Sequence, residues 1–331
     1  MKQLKNKLNA SFLLRNMVYI MLIVVAIVLS LSVDVFFTLK NLLNILVAAS
    51  PIYLLCIGMS LAMMTKGIDM SIGSIIYASA SVAFFVFERG GNMVLALAGM
   101  LAMGLFLGWI NGLLAGKIPV YPMLTTLATM YIYRGVGRMI SGGATAIMPS
   151  VWGSIATLQI AGIPFPIVLA IVVGLIMQFV LTNTRFGRFV LAIGDNERTA
   201  VEKGVNIFRI KVWVYTLGGL CCALAAMILT SQIMSAPSTL GTGKDFEVII
   251  AAVLGGISLA GGKGNIFPGA LIGSIIYAGI SNALVLTGAS PYDYTIVYAI
   301  VIFAFILVDT LSSKRYSKKE KEADLAGENE E

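Results

Sequence analysis

Four apolar runs, Met17 to Val33, Leu43 to Met64, Met93 to Leu114 and Ile266 to Leu286, each approach the ~20 residues that a helix needs to cross the hydrocarbon of a bilayer. They set the solvent in which the chain folds. In lipid every backbone amide must be paired internally, and these runs lack the alternation of a lipid-facing barrel, so helices are the remaining solution. Composition agrees: of 331 residues, 58% are hydrophobic and 12% charged, too few polar groups to cover two soluble domains. The chain reads as an all-α polytopic membrane protein.

Hydropathy punctuated by glycine, proline and charge gives about ten transmembrane segments, at 17–33, 43–64, 72–87, 93–114, 123–140, 163–181, 212–233, 248–260, 266–286 and 294–311. The organisation is then a basic N-terminus (1–16), a transmembrane domain (17–311) with a long polar loop at 184–211, and a charged tail (312–331). With the N-terminus in the cytoplasm, 18 of the 23 Lys and Arg fall in inner regions. Only Lys40, Arg89, Arg134, Arg138 and Lys244 fall outside or near outer helix ends. The positive-inside rule therefore places both termini in the cytoplasm after an even number of crossings. The first segment resembles a signal peptide, yet no small-residue cleavage site follows it, and it is read as a retained helix. The net charge of +7 does not indicate nucleic acid binding, because the charges lie between hydrophobic segments. The tail is basic from Lys314 to Lys321, then acidic and polar, a composition that predicts disorder.

Cys56, Cys221 and Cys222 sit inside apolar runs without metal-ligand spacing, and the chain has no histidine, so no metal or cofactor is expected. Segment 248–260 is short and flanked by Gly255, Gly256, Gly261, Gly262 and Gly264, which predicts a bent or partly re-entrant element. Most of the 34 glycines are assigned to close helix packing. The seven letters from Ile72 to Ala78 recur from Ile272 to Ala278, but the match does not extend, and duplication stays an open alternative.

In the 184–211 loop, Asp195 can cap a helix with Glu197 in its first turn, Lys203 in its last and Gly204 as a left-handed stop. An isolated helix of about two turns is marginal in water, so it must dock on its own bundle and on a partner at the cytoplasmic face. Asp69 lies at a membrane boundary, where a structural hairpin with Gly67 ending one helix and Asp69 or Ser71 capping the next competes with a functional role. Ser290 to Asp293 reads as a capping box. Arg134 and Arg138 share one helix face. They either snorkel to the interface or, with Asn111, Thr125 and Thr126, Arg134 lines a path for sugar hydroxyls, since a neutral polyol needs hydrogen-bonding groups.

Four motifs in order carry a resemblance: Gly67-Ile-Asp69-Met-Ser71-Ile-Gly73-Ser74; Met130 to Gly135; Arg185-Phe-Gly187-Arg188 through Gly194-Asp-Asn196-Glu197; and Ala251 to Gly256 through Gly261-Gly262-Lys263-Gly264. The chain resembles the ribose-type permeases of ATP-binding-cassette importers, a group that handles simple sugars and autoinducer-2, over all but its two tails. The resemblance implies a type II importer-like bundle in a bacterial plasma membrane, a second permease copy, a cytoplasmic ATP-binding-cassette subunit and an extracytoplasmic sugar-binding protein. It also implies that Asn196 to Gly204 is the coupling helix, with Arg188, Gly194, Asn196, Glu197, Ala200 and Gly204 as the coupling residues. Gly67, Asp69, Ser71, Gly73, Gly255, Gly256, Gly261 and Gly262 form the structural motifs.

Gly256 to Gly264 is not a P-loop, because Ile257 replaces the first glycine and Gly264 replaces the metal-binding hydroxyl, so ATP hydrolysis is expected in a separate subunit. Segments one to nine hold no Asp or Glu, which counts against an ion-coupled secondary transporter. A branched-chain amino-acid or nucleoside permease of the same superfamily is the nearer alternative. Neither a nucleophile with its base nor paired carboxylates support a membrane enzyme.

Overall fold

The structure is a computed structural model. It describes residues 35–290 continuously, together with positions 19, 20, 22, 23, 27, 293, 296–300 and 303. The predicted N-terminus (1–16) and tail (312–331) lie outside the described residues, as do most of the first and last predicted crossings. Two compact units are distinguished, residues 35–279 and a second made of 1–34 with 280–331.

The first unit is a helical bundle. Helix α1 (Leu39–Met64) opens on Thr38, whose hydroxyl accepts from the Asn41 amide at 3.3 Å, and it is buried on all sides from Ala49 to Met64. A helix apolar all round belongs inside a bundle, which is why α1 shows no polar face. Helices α2 (Ile72–Glu88), α3 (Met93–Lys117) and α4 (Pro122–Ser141) follow. Asn92 caps α3 by accepting from the Leu95 amide, while α4 starts on a proline and ends at Gly142 in the left-handed region.

Next come the short α5 (Ser150–Thr157), α6 (Phe165–Asn183), α7 (Arg185–Asp195), α8 (Glu197–Glu202) and the 27-residue α9 (Ile207–Ile233). Helix α10 (Lys244–Leu254) has only 11 residues, about 16 Å of rise, or half a bilayer core. After a glycine-rich loop, a π turn at Ile266–Ala270 leads into α11 (Leu271–Leu286). Two short antiparallel pairs join loops: β1 (Ala146–Ile147) with β4 (Ser235–Ala236), and β2 (Gln159–Ile160) with β3 (Ile163–Pro164). The second pair turns through Ala161 and Gly162, both at positive φ, as a two-residue hairpin requires.

Among the described residues, α1, α3, α6, α9 and the Ile266–Leu286 helix are long and apolar enough to cross a membrane. The eight predicted segments between the first and the last each coincide with a helix. The others fall short of that measure: α2 is apolar but shorter, α4 is long but less apolar, and the half-length α10 agrees with the short segment predicted at 248–260. The sequence reading missed α5, α7 and the first turn of α9, while the short helix that it expected within 184–211 is α8.

The second unit adds a helix end and a helix start. Gly288, at φ +69°, terminates α11 while the Ala289 amide reaches back to Leu284 O at 3.0 Å. Beyond it the predicted capping box is present, with the Ser290 amide donating to Asp293 Oδ2 at 2.8 Å.

The centre of the first unit is the contact of α3 with α9. Gly104, Gly108, Gly112 and Gly116 recur every four residues and so lie along one face of α3. A Cβ at Gly112 would stand 2.6 Å from Val212 Cα and 2.8 Å from its carbonyl oxygen. One at Gly104 would stand 2.5 Å from Gly219 O, and one at Gly108 would stand 3.0 Å from Gly219 Cα. On the adjoining face of α9, a Cβ at Gly58 of α1 would stand 2.8 Å from Gly218 Cα. Close backbone approach replaces the hydrophobic drive that lipid cannot supply.

Gly112→Leu is therefore expected to cost about 3 kcal/mol or more, the upper range for overpacking against atoms that cannot yield. Gly135→Ala, where an added Cβ meets nothing within 4 Å, is expected to be silent. Size-exclusion profiles and thermal unfolding of the two purified variants check the contrast.

Candidate functional site

The site is built from three chain turns at one end of the first unit. Helix α1 stops at Thr65 with Lys66 at φ +59°; the Lys66 amide bonds Met63 O and the Gly67 amide bonds Ala62 O, both at 2.9 Å. This is a Schellman stop, with Lys66 rather than Gly67 in the left-handed position. Gly67 is required for another reason: a Cβ there would lie 2.5 Å from Tyr215 Oη. Lys66 Nζ donates to Asp195 O at 3.1 Å, joining the end of α1 to the end of α7.

The glycine-rich loop after α10 closes the third side. The Gly262 amide donates to Met64 O at 3.0 Å. A Cβ on Gly194 would strike Met64 O and the Gly262 amide, and one on Gly261 would lie 2.9 Å from Gly194 O. Gly261 and Gly262 themselves sit at φ +86° and +71°. Residues from two of the four sequence motifs thus meet the end of α1 in one backbone-to-backbone knot. Gly255 and Gly256 end α10: Gly256 takes φ +79°, and a Cβ on Gly255 would lie 2.6 Å from Gly269 O.

Helix α8 projects from this knot. Its cap is Asn196, whose side chain accepts from the Thr199 amide at 3.1 Å, and not Asp195, which is the last residue of α7. The reason is conformational: Asn196 has the extended backbone of a cap (φ −148°, ψ 106°), while Asp195 is still helical. Gly204 stops the helix at φ +80° as predicted. Ala200 is buried, Val201 is exposed and the Arg198 side chain is 90% exposed, so one face docks and the other is presented. Glu197 and Lys211 pair at 3.1 Å, tying α8 to the start of α9. Arg188 is exposed on α7.

Beside the knot, the segment Gly67 to Ser71 runs back into the bundle as a polar lock. Thr126 Oγ1 accepts from the Met70 amide and lies within donating distance of Ile68 O, both at 3.0 Å. Asp69 Oδ1 accepts from the Ser71 amide at 2.9 Å and from the Ser71 hydroxyl at 2.6 Å. Asn111 Nδ2 donates to Ser71 Oγ at 2.7 Å, and Asn111 Oδ1 accepts from Thr129 and Tyr133, each at 2.8 Å. Ser71 occupies the cap position of α2 without capping it through its side chain. Its hydroxyl is engaged by Asp69 and Asn111 instead.

Asn111 and Thr126, read from sequence as possible path residues, are thus fully buried parts of the lock. Thr125 is buried beside Thr126 with its hydroxyl lacking a hydrogen-bond partner. Arg134 stands elsewhere: it donates to Leu240 O at 2.6 Å and Ser238 O at 3.3 Å and packs 5.3 Å from the Tyr77 ring centroid. It is half-buried and holds the loop before α10, close to Gly73, where an added Cβ would come 3.5 Å from its guanidinium. Sequence reasoning missed Thr129 and Tyr133, whose signal was the spacing with Thr126 along one face of α4.

Residues 41–306 match the family described as the branched-chain amino acid transport system permease component. The chain is 37% identical over 294 residues to the ribose import permease protein of Escherichia coli strain K12, covering 87% of this chain and 91% of that one. It is 34% identical over 304 residues to the D-allose transport system permease protein of the same organism, covering 89% and 91%. It is 32% identical over 275 residues to the autoinducer 2 import system permease protein of Yersinia pseudotuberculosis serotype O:1b, covering 83% and 78%. No solved structure matches.

The lock gives a paired test. Thr126→Val removes a hydroxyl that serves Ile68 and Met70 and is expected to cost about 1–3 kcal/mol, the penalty for buried groups left unpaired. Thr125→Val removes a hydroxyl with no hydrogen-bond partner and is expected to be near neutral or stabilising. Thermal unfolding in detergent reads both, and equal losses would contradict the assigned roles.

Proposed function

This chain belongs to the family of permease components of the branched-chain amino acid transport system, and from that premise we propose that it forms the translocation path of an ATP-binding-cassette importer for a sugar. The relatives named for ribose, D-allose and autoinducer 2 import support the sugar reading over an amino-acid or nucleoside cargo. The cargo is delivered by an extracytoplasmic binding protein, a second permease copy completes the path, and a separate cytoplasmic subunit hydrolyses ATP. The bundle lies in a bacterial plasma membrane with both termini in the cytoplasm, and crossings at 17–33 and 294–311 complete about ten.

The observation that carries the reading is α8, a capped helix with one docked face and one presented face, rooted in the knot of Met64, Gly194 and Gly262. It is the coupling element. Closure of the ATPase pair moves α8, and the Glu197–Lys211 pair carries the motion into α9. Along α9 the motion passes by backbone contact to Gly112 of α3, next to Asn111, which holds the lock around Gly67 to Ser71. Neighbouring residues on one rigid helix thus face the driven element and the segment to be moved. Arg134, by holding Leu240 and Ser238, fixes the half-helix α10 beside that path.

Glu197→Arg, which repels Lys211, and Gly204→Trp, which cannot take φ +80° without strain, are expected to leave the protein inserted in the membrane. Sugar uptake and co-purification of the ATPase subunit should both fall to background. Normal uptake by both variants would remove the coupling assignment.

A further inference from the structure

An apolar groove of about 740 Å³ lies between α6, α7 and α9, away from the knot, the lock and the Arg134 network. Its walls include Ile176, Trp213, Leu217 and Leu224, and among the described residues the only charged one lining it is Arg209. From Arg209 to Leu224 the groove follows α9 for 15 residues, about 22 Å of helix rise, whereas one leaflet's hydrocarbon is about 15 Å deep, half of a ~30 Å core. It is long enough for an extended acyl chain and has a cation where the chain would meet its headgroup.

Helix α7 crosses that same end. Phe186 and Phe189, three residues apart, turn into the groove, while Arg185 and Arg188 are exposed. Phenylalanines lining an apolar groove beside exposed arginines are the pattern of a helix lying in the headgroup layer. Among the described residues, Arg185, Arg188 and Arg209 form no salt bridge, although the nearby Arg198 and Lys211 are paired with Glu202 and Glu197. Arg209, a cation without a salt bridge at one end of an apolar channel, matches one phosphate carrying a fatty chain.

We propose that this groove is a binding site for an anionic glycerophospholipid, with an acyl chain along α9 and its phosphate held at Arg209 under the edge of α7. A zwitterionic lipid of the same chain length fills the groove but brings a compensating ammonium to Arg209 and binds more weakly. Because α7 and α9 flank α8, a lipid seated here sets the resistance against which the coupling helix turns.

The test uses the purified full chain in detergent with 1-palmitoyl-2-oleoyl phosphatidylglycerol or the matching phosphatidylcholine, read by native mass spectrometry and by the thermal unfolding midpoint. One phosphatidylglycerol per chain should survive delipidation and raise the midpoint more than phosphatidylcholine does. Arg209→Gln should weaken phosphatidylglycerol retention about five- to tenfold and leave phosphatidylcholine unchanged, the size expected for one cation near a headgroup. Leu217→Trp, which fills the groove, should lower retention of both lipids, while Arg198→Gln should change neither. Equal retention of the two lipids by the wild-type chain would overturn the proposal. So would phosphatidylglycerol binding indifferent to both Arg209→Gln and Leu217→Trp, or a shift from dimer to monomer on Leu217→Trp with lipid retention intact, which would assign the groove to a second copy of the chain.

Discussion

Backbone rests directly on backbone where Met93–Lys117 meets Ile207–Ile233, and the arrangement of the rest follows from that contact. In lipid, helices gain nothing from hiding apolar side chains from one another, so they associate where surfaces fit closely. Four glycines at a spacing of four let α9 lie against α3, and Gly58 with Gly218 brings α1 against an adjoining face of α9. With α9 held between two helices, the short elements around it have a fixed frame. Helices α7 and α8 hang from its N-terminal end, and the β4 strand at its C-terminal end pairs with β1.

The same contact explains why the site is made of backbone more than of side chains. Met64, Gly194 and Gly262 come from α1, α7 and the loop after α10, and they meet through amides and carbonyls because glycine leaves room for nothing else. A knot of that kind is stiff and has little chemistry of its own. It suits an element that transmits force, and the polar groups next to it are consistent with this, since Asp69, Ser71, Asn111, Thr129 and Tyr133 bond to one another. Arg134 follows the same logic, engaging loop carbonyls and the Tyr77 ring.

Much of this was legible in the chain. Helix positions followed from run length, because a bilayer fixes how many apolar residues a crossing needs. Gly204 was found as the stop of α8 because a left-handed residue after a short polar helix is a local requirement. The cap was placed one residue early, at Asp195 instead of Asn196, since both side chains can cap and only the end of α7 decides between them. Similarly, Gly67 was read as a helix stop when its real constraint is the Tyr215 hydroxyl, a neighbour 148 positions away in sequence.

The sequence alone determined that the chain is helical, that lipid is its solvent, where most apolar helices fall and where the short helix of the 184–211 loop stops, because hydrophobic run length, charge bias and caps act over short stretches. Only the tertiary structure decided what the polar residues do. Asn111, Thr126 and Arg134 could equally have faced a sugar path or one another, and the choice depends on which helix lies opposite. That depends in turn on the spacing of glycines on α3 against the backbone of α9, a match between two surfaces about a hundred residues apart that neither segment specifies by itself.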